Sequence, residues 1–267
     1  MRIVIVTGAS GGLGAEFVRR IDRLGILEDW GIDEIWGIAR SGDKLRKLGK
    51  TLHTPFRPLA LDLTDGASFN LIRAMLRGLM PEVWMVVNAA GVGKIGGPAE
   101  VPGKELDRMI DLNCKAPVRM TGVTLPYIPR GGRIVEVCST AAFQPFPYLN
   151  VYAASKVFLC RYSRALGREL RGRGISVTAV CPYWVKDTGF IGKARCGEGG
   201  DKIRGFPFAS EEKAVVRQAV RDALMRKPVS TPGPVCTVHR AAAKLLPESV
   251  MMDLWEWIRR IYPNSTR

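Results

Sequence analysis

Thr7-Gly8-Ala9-Ser10-Gly11-Gly12-Leu13-Gly14 follows directly on the apolar run Arg2-Ile3-Val4-Ile5-Val6, and Phe17, Ile21 and Leu24 then continue the helical spacing begun by Leu13. A strand, a glycine turn and an amphipathic helix in that order make the first half of a strand-helix-strand unit. Glycines let the backbone turn sharply and approach a pyrophosphate, whose charge then faces the N–H groups and dipole of the helix opening near Leu13. A merely tight turn is the competing reading, and its position between strand and helix counts against it. Gly25 sits where that helix is expected to end in a left-handed turn.

Outward from this unit, short β-branched or apolar runs recur at Glu34–Ala39, Arg57–Leu61, Val83–Asn88, Arg133–Ser139 and Ile175–Cys181, separated by helical stretches. The alternation predicts an α/β fold: a Rossmann-like doubly wound parallel sheet of about seven strands with helices on both faces. Lys104–Leu125 and Val151–Leu170 read as the longest helices, and Glu211–Lys227 as another that Pro228 must end. Residues 183–210 loosen into glycines, charges and aromatics and are a candidate substrate lid. Residues 228–267 form an atypical helical C-terminal segment expected to pack on the core. With 267 residues and 46% hydrophobic content, the chain can bury one sizeable core, so 1–267 is read as one domain.

Composition narrows the function classes. No apolar run approaches the roughly 20 residues that cross a bilayer, and the start has no signal-peptide order, so a soluble, cytoplasmic protein is expected. Six cysteines lie far apart without a C-x-x-C pair, and His53 and His239 have no second ligand at metal spacing, which argues against a disulfide framework or a catalytic metal. The net charge of +15 is scattered, so it reads as solvated surface that also favours anionic cofactors or substrates; nucleic-acid binding is not expected. In Val250–Ile261, apolar residues near helical spacing lie beside Arg259-Arg260; docking back on the core and weak contact with a membrane surface are both open.

Two further positions carry chemistry. The second strand ends at Ala39-Arg40-Ser41, where an NAD-selective site would offer an acid to the ribose; Arg40 instead suits the 2′-phosphate of NADP, unless it is ordinary surface charge. In Tyr152-Ala153-Ala154-Ser155-Lys156, a spacing of four puts a phenol and an ammonium on one helix face. A free tyrosine titrates near 10, so proton transfer near neutrality calls for a cation that favours the phenolate, and Lys156 supplies one.

From Arg2 to about Thr188 the chain resembles a short-chain dehydrogenase/reductase. Thr7, Gly8, Gly12 and Gly14 match that family's T-G-x-x-x-G-x-G turn, with Ser10 and Leu13 inside it, and Asn88-Ala89-Ala90-Gly91 matches its N-A-G motif. The resemblance implies an NADP(H)-dependent oxidoreductase in which Asn88, Ala89 and Gly91 back the cofactor and Asp62 and Leu63 contact the adenine. It further implies catalytic roles for Asn113, Ser139, Tyr152 and Lys156. Asn113 would hold a water on the proton path, Ser139 would bind the substrate oxygen, Tyr152 would move the proton, and Lys156 would bond the ribose and depress the tyrosine pKa. Pro182-Tyr183 stands where the family commonly has Pro-Gly; Pro182, Val185 and Thr188 would still cover the nicotinamide amide. Thr231-Pro232-Gly233-Pro234 departs from the family's usual glycine-rich tail, so a homodimer is expected rather than a tetramer.

Large apolar residues near the expected cleft point to a lipophilic carbonyl or alcohol substrate, steroid-like or 3-oxoacyl. Phe143, Tyr148, Tyr183, Trp184 and Phe190 are the candidate contacts, with Phe206 and Phe208 in the same lid. A catalytically inactive NADP(H)-binding regulator on the same fold is the alternative.

Overall fold

The computed structural model describes residues 1–97, 99–186, 188–195, 202–203 and 208–261. Seven parallel strands form one sheet in the order β3-β2-β1-β4-β5-β6-β7. They are β1 (Arg2–Thr7), β2 (Glu34–Ala39), β3 (Phe56–Ala60), β4 (Glu82–Asn88), β5 (Arg133–Val137), β6 (Ser176–Val180) and β7 (Val229–Ser230). The six runs read from the sequence are all strands, shorter by a residue or two at some ends. The seventh, only two residues long, carries no periodic pattern and is recognised only by its pairing with β6.

Around the sheet run α1 (Gly12–Leu27), α2 (Gly42–Gly49), α3 (Gly66–Leu79), α4 (Gly103–Ile110), α5 (Ala116–Thr124), α6 (Asn150–Glu169), α7 (Phe190–Ala194), α8 (Glu212–Leu224), α9 (Pro234–Leu245) and α10 (Glu248–Ile261). Two apolar clusters sandwich the strands because both faces of a parallel sheet are covered. On one face Phe17, Val18 and Ile21 of α1 and Val216, Ala219 and Val220 of α8 meet Val4, Val6, Val135 and Val180. On the other, Phe69, Ile72 and Leu76 of α3, Met120 of α5 and Leu166 of α6 meet Ile3, Ile5, Val86 and Ile134. Both edges carry proline: Pro58 lies within β3, and Pro228 and Pro232 flank β7.

Two expectations are corrected. Gly25 does not end α1, which continues to Leu27; the left-handed residues are Asp29 and Gly31, and Gly25 instead leaves room for Ile32. Lys104–Leu125 is not one regular helix, because a π turn at Asp111–Lys115 separates α4 from α5. Pro117 explains the interruption: it has no N–H to give to the carbonyl of Asn113 four residues back.

A third apolar cluster lies beyond the strand ends. There Phe146, Leu149 and Tyr152 pack with Ala194 of α7 and Trp255 of α10. Met251 and Trp255 are the buried side of α10, and the Trp255 ring meets Phe146 edge-on at 5.0 Å between centroids. Trp255→Ala is therefore expected to lower stability by about 3 kcal/mol, read from denaturant unfolding. Val250, Leu254, Trp257 and Ile261 of the same helix are exposed. Among the described residues no helix is long and apolar enough to cross a membrane.

Candidate active site

Strand order reverses between β1 and β4, so their C-terminal ends open a crevice at the sheet's topological switch point, where ligands bind in such folds. A cavity of about 700 Å³ occupies it, lined at one end by Gly8, Ser10, Gly12, Leu13, Gly14, Arg40, Asp62, Leu63, Ala89 and Gly91. Ser139, Tyr152, Lys156, Pro182, Val185 and Thr188 line it at the other.

The glycine turn is built by close approach. A Cβ on Gly8, whose φ is +70°, would stand 2.9 Å from the Ala90 backbone, and one on Gly14 would strike the Gly8 carbonyl. Gly12, at φ +53°, faces Thr188. Helix α1 begins with no side-chain cap and no acid in its first turn, so its N–H groups and positive dipole end are left for an anion. These features fit the pyrophosphate of a dinucleotide.

Thr7 and Asn88 lie behind the cavity and hold its floor. The Ala90 N–H donates to Thr7 Oγ1 at 3.1 Å, which ties the glycine turn to the segment after β4, and Asn88 donates from Nδ2 to Glu136 Oε1 at 2.9 Å. Arg40 is exposed at the end of β2, beside Ser41 and Lys44 on the cavity wall. Burial pushes the Asp62 carboxyl up, but hydrogen bonds from Thr64 and the charges of Arg40 and Arg108 outweigh it, and the group ends below its ordinary range.

Asn113 sits in the π turn with no exposed surface and with both amide hydrogens and its amide oxygen engaged. Its Oδ1 accepts from Val92 N at 2.9 Å, and Nδ2 donates to Val92 O at 2.8 Å and Ser155 Oγ at 3.0 Å. The main-chain carbonyl of Asn113 lacks the donor that the residue four positions on supplies in a regular helix. Pro117, which has no hydrogen to give that carbonyl, is the sequence signal for the interruption that the helical periodicity hid.

Tyr152 and Lys156, one turn apart on α6, are both buried. Burial pushes the phenol up to about 12; the Ser139 hydroxyl pulls it down only in part, and the thiols of Cys138 and Cys181 raise it further. Burial likewise lowers Lys156. The ammonium donates to the Val137 carbonyl at 2.8 Å and lies 5.7 Å from the centroid of the Tyr152 ring. The expectation that Lys156 depresses the tyrosine is thus not met in this geometry: the ammonium is held on the Val137 carbonyl, and desolvation dominates the phenol.

Of the candidate substrate contacts, Tyr183, Trp184 and Phe190 line the cavity, and Phe190 packs against Tyr152 at 5.6 Å between ring centroids. Phe143 and Tyr148 do not line it. Phe143 turns into the cluster of Cys138, Cys160 and Cys181, edge-on to His239, because the 3₁₀ turn at Thr140–Ala142 redirects the chain. Tyr148, at φ +64°, points its ring at the Arg259 guanidinium, 4.6 Å away. Phe146 and Leu149 take their places on the wall. Phe206 lies outside the described residues, and Phe208 is largely exposed.

Comparison with known proteins agrees with this architecture. Residues 2–198 match the family described as short chain dehydrogenase. A serine 3-dehydrogenase of Rhizobium radiobacter is 31% identical over 181 residues, covering 67% of this chain and 70% of that protein. A very-long-chain 3-oxoacyl-CoA reductase of Anas platyrhynchos is 31% identical over 193 residues, 68% of this chain and 59% of that protein. A short-chain dehydrogenase from Sphingobium yanoikuyae, solved with NADPH, superposes with a TM-score of 0.77 at 24% identity, covering 100% of this chain and 98% of that one. On the strength of the family match over most of its length, joined to the doubly wound sheet, this chain belongs to the short-chain dehydrogenase family of oxidoreductases.

Proposed function

We propose that the protein is an NADP(H)-dependent enzyme interconverting a lipophilic secondary alcohol and its ketone. The observation that carries this reading is the shared cavity: its wall includes the glycine turn and also the Tyr152 phenol and the Ser139 hydroxyl. When bound, the nicotinamide supplies or accepts the hydride. Tyr152 donates its proton to the substrate oxygen as the alcohol forms, and Ser139 hydrogen-bonds that oxygen and orients it. Lys156 would bond the nicotinamide ribose, and Asn113 would hold the water that resupplies the proton.

A phenol pushed up to about 12 stays protonated through neutral and mildly alkaline pH. The acid form required for reduction is then always present, whereas oxidation needs the base form and is favoured as pH rises. Ketone reduction is expected to stay level from about pH 6 to 9 while alcohol oxidation climbs, as paired pH–rate profiles would show; an oxidation rate independent of pH would count against Tyr152 as the base.

Arg40 supports the choice of NADP(H), because a guanidinium there pairs with a 2′-phosphate and stands at the strand end where an NAD-selective site would offer an acid. Arg40→Glu is expected to weaken NADPH binding by about 10–100-fold, and NADH should gain relative to it. A wild-type preference for NADH would overturn this part. Phe146, Leu149, Trp184 and Phe190 support a lipophilic substrate, and residues 183–210 serve as its lid, although 187, 196–201 and 204–207 lie outside the described residues. Screening ketosteroids, 3-oxoacyl thioesters and small ketones for NADPH oxidation tests the substrate class; turnover confined to small polar ketones would sink it.

A further inference from the structure

Glu136 is a fully buried carboxyl in the middle of the sheet, and the proton path described above makes no use of it. Its Oε1 accepts from Asn88 Nδ2 at 2.9 Å and from Thr121 Oγ1 at 3.3 Å. Its Oε2 has no partner, and neither has the Oδ1 of Asn88, the other half of the same amide. An ionised carboxylate would leave two acceptors buried and unsatisfied on one pair of side chains, at a cost seldom met in folded proteins. One proton on Oε2 removes both faults, since a neutral acid and a primary amide can each present one donor and one acceptor to the other.

We propose that Glu136 is held as a neutral carboxylic acid that closes a two-hydrogen-bond pair with Asn88, making it a positioning residue for the cavity floor. Asn88 is the last residue of β4 and is followed at once by Ala89, Ala90 and Gly91, which line the cavity. A fixed Asn88 therefore fixes the start of that segment. The surroundings agree with a neutral acid: α5 offers the Thr121 hydroxyl, α6 presents the buried Lys156 and the half-buried Tyr162, and β6 sets Ala179 alongside. Lys156 is engaged with the Val137 carbonyl and makes no ion pair with Glu136. Burial pushes the Glu136 carboxyl up to about 8, against the weaker pull of Asn88, Thr121 and Lys156.

The consequence for pH follows from the sign of that shift. An unfolded glutamate titrates near 4.3, so between about 4 and 8 the folded chain keeps a proton that the unfolded chain has released. The stabilisation is complete at the acid end of this window and is lost as pH rises through about 8.

Glu136→Gln is the decisive variant, because glutamine presents the same donor and acceptor to Asn88 without a proton to lose. The parent is expected to show the infrared carbonyl band of a protonated side-chain acid at neutral pH, absent from E136Q. Raising pH from about 6 to 9 should lower the parent's melting temperature more than that of E136Q, whereas E136L should be destabilised throughout. If E136Q fails to fold, isotope-labelled glutamate in the parent still reports the band. No such band near pH 7, or parallel pH profiles for parent and E136Q, would overturn the pairing.

The reach to the cofactor rests on the proposed function and has a separate readout. Between about pH 7 and 9 the NADPH Kd of the parent should rise about fivefold more than that of E136Q. Equal changes would overturn the positioning role while leaving the pair intact, and absence of NADPH binding in the parent would instead count against the cofactor.

Discussion

Tyr152→Phe is expected to lower turnover by about 10³-fold or more while NADPH affinity stays within about threefold of the parent. The variant removes one oxygen from a ring that otherwise keeps its packing against Phe190 and its place over Lys156. That oxygen belongs to the phenol that shares the cavity wall with Ser139, so proton transfer loses its donor and the fold loses little. Steady-state rates with an active ketone, beside NADPH titration by fluorescence, make the comparison. The same pair of measurements separates an enzyme from a cofactor-binding regulator. A regulator would bind NADPH equally in both proteins and turn over nothing in either.

Gly14→Ala is expected to raise the NADPH Kd by at least about 100-fold and to cost stability on the order of 1–3 kcal/mol. The added methyl meets the carbonyl oxygen and carbon of Gly8, which are backbone atoms of the turn itself, so no side chain can rotate aside. Relief requires the turn to open, and an open turn withdraws the N–H groups from the anion. Gly122→Ala in α5 is the internal control, since a Cβ there meets nothing within 4 Å. It should raise stability by about 0.5–1 kcal/mol. A Gly14→Ala protein that bound NADPH as the parent does would refute the close-approach account.

The first strand, the glycine turn and the first helix were legible because each is local: a run of β-branched residues, a cluster of glycines, a repeat near 3.6. Tyr152 and Lys156 were legible for the same reason, as partners on one face of a helix. What the sequence hid depends on contacts between distant elements. Phe143 and Phe146 are three residues apart in an irregular segment, where no period says which ring faces the cavity; the 3₁₀ turn before them decides it. Tyr148 was lost to Arg259, more than a hundred residues away, through a left-handed backbone that tyrosine seldom adopts. The capture of Lys156 by the Val137 carbonyl and the desolvation of Tyr152 are likewise products of packing. Helical periodicity also continues through a π turn, which is why Lys104–Leu125 read as one rod and only Pro117 marks the break.

The prolines at the sheet's two borders bear on how copies of this chain can meet. Pro58 deprives the β3 margin of an amide hydrogen at its midpoint, and the β7 margin is two residues long between Pro228 and Pro232. Neither margin offers a row of free donors and acceptors that another backbone could zip onto. Self-association through the described sheet is thereby steered to helical surfaces, and the ribbon-by-ribbon growth that seeds fibrils is hindered at both of its margins.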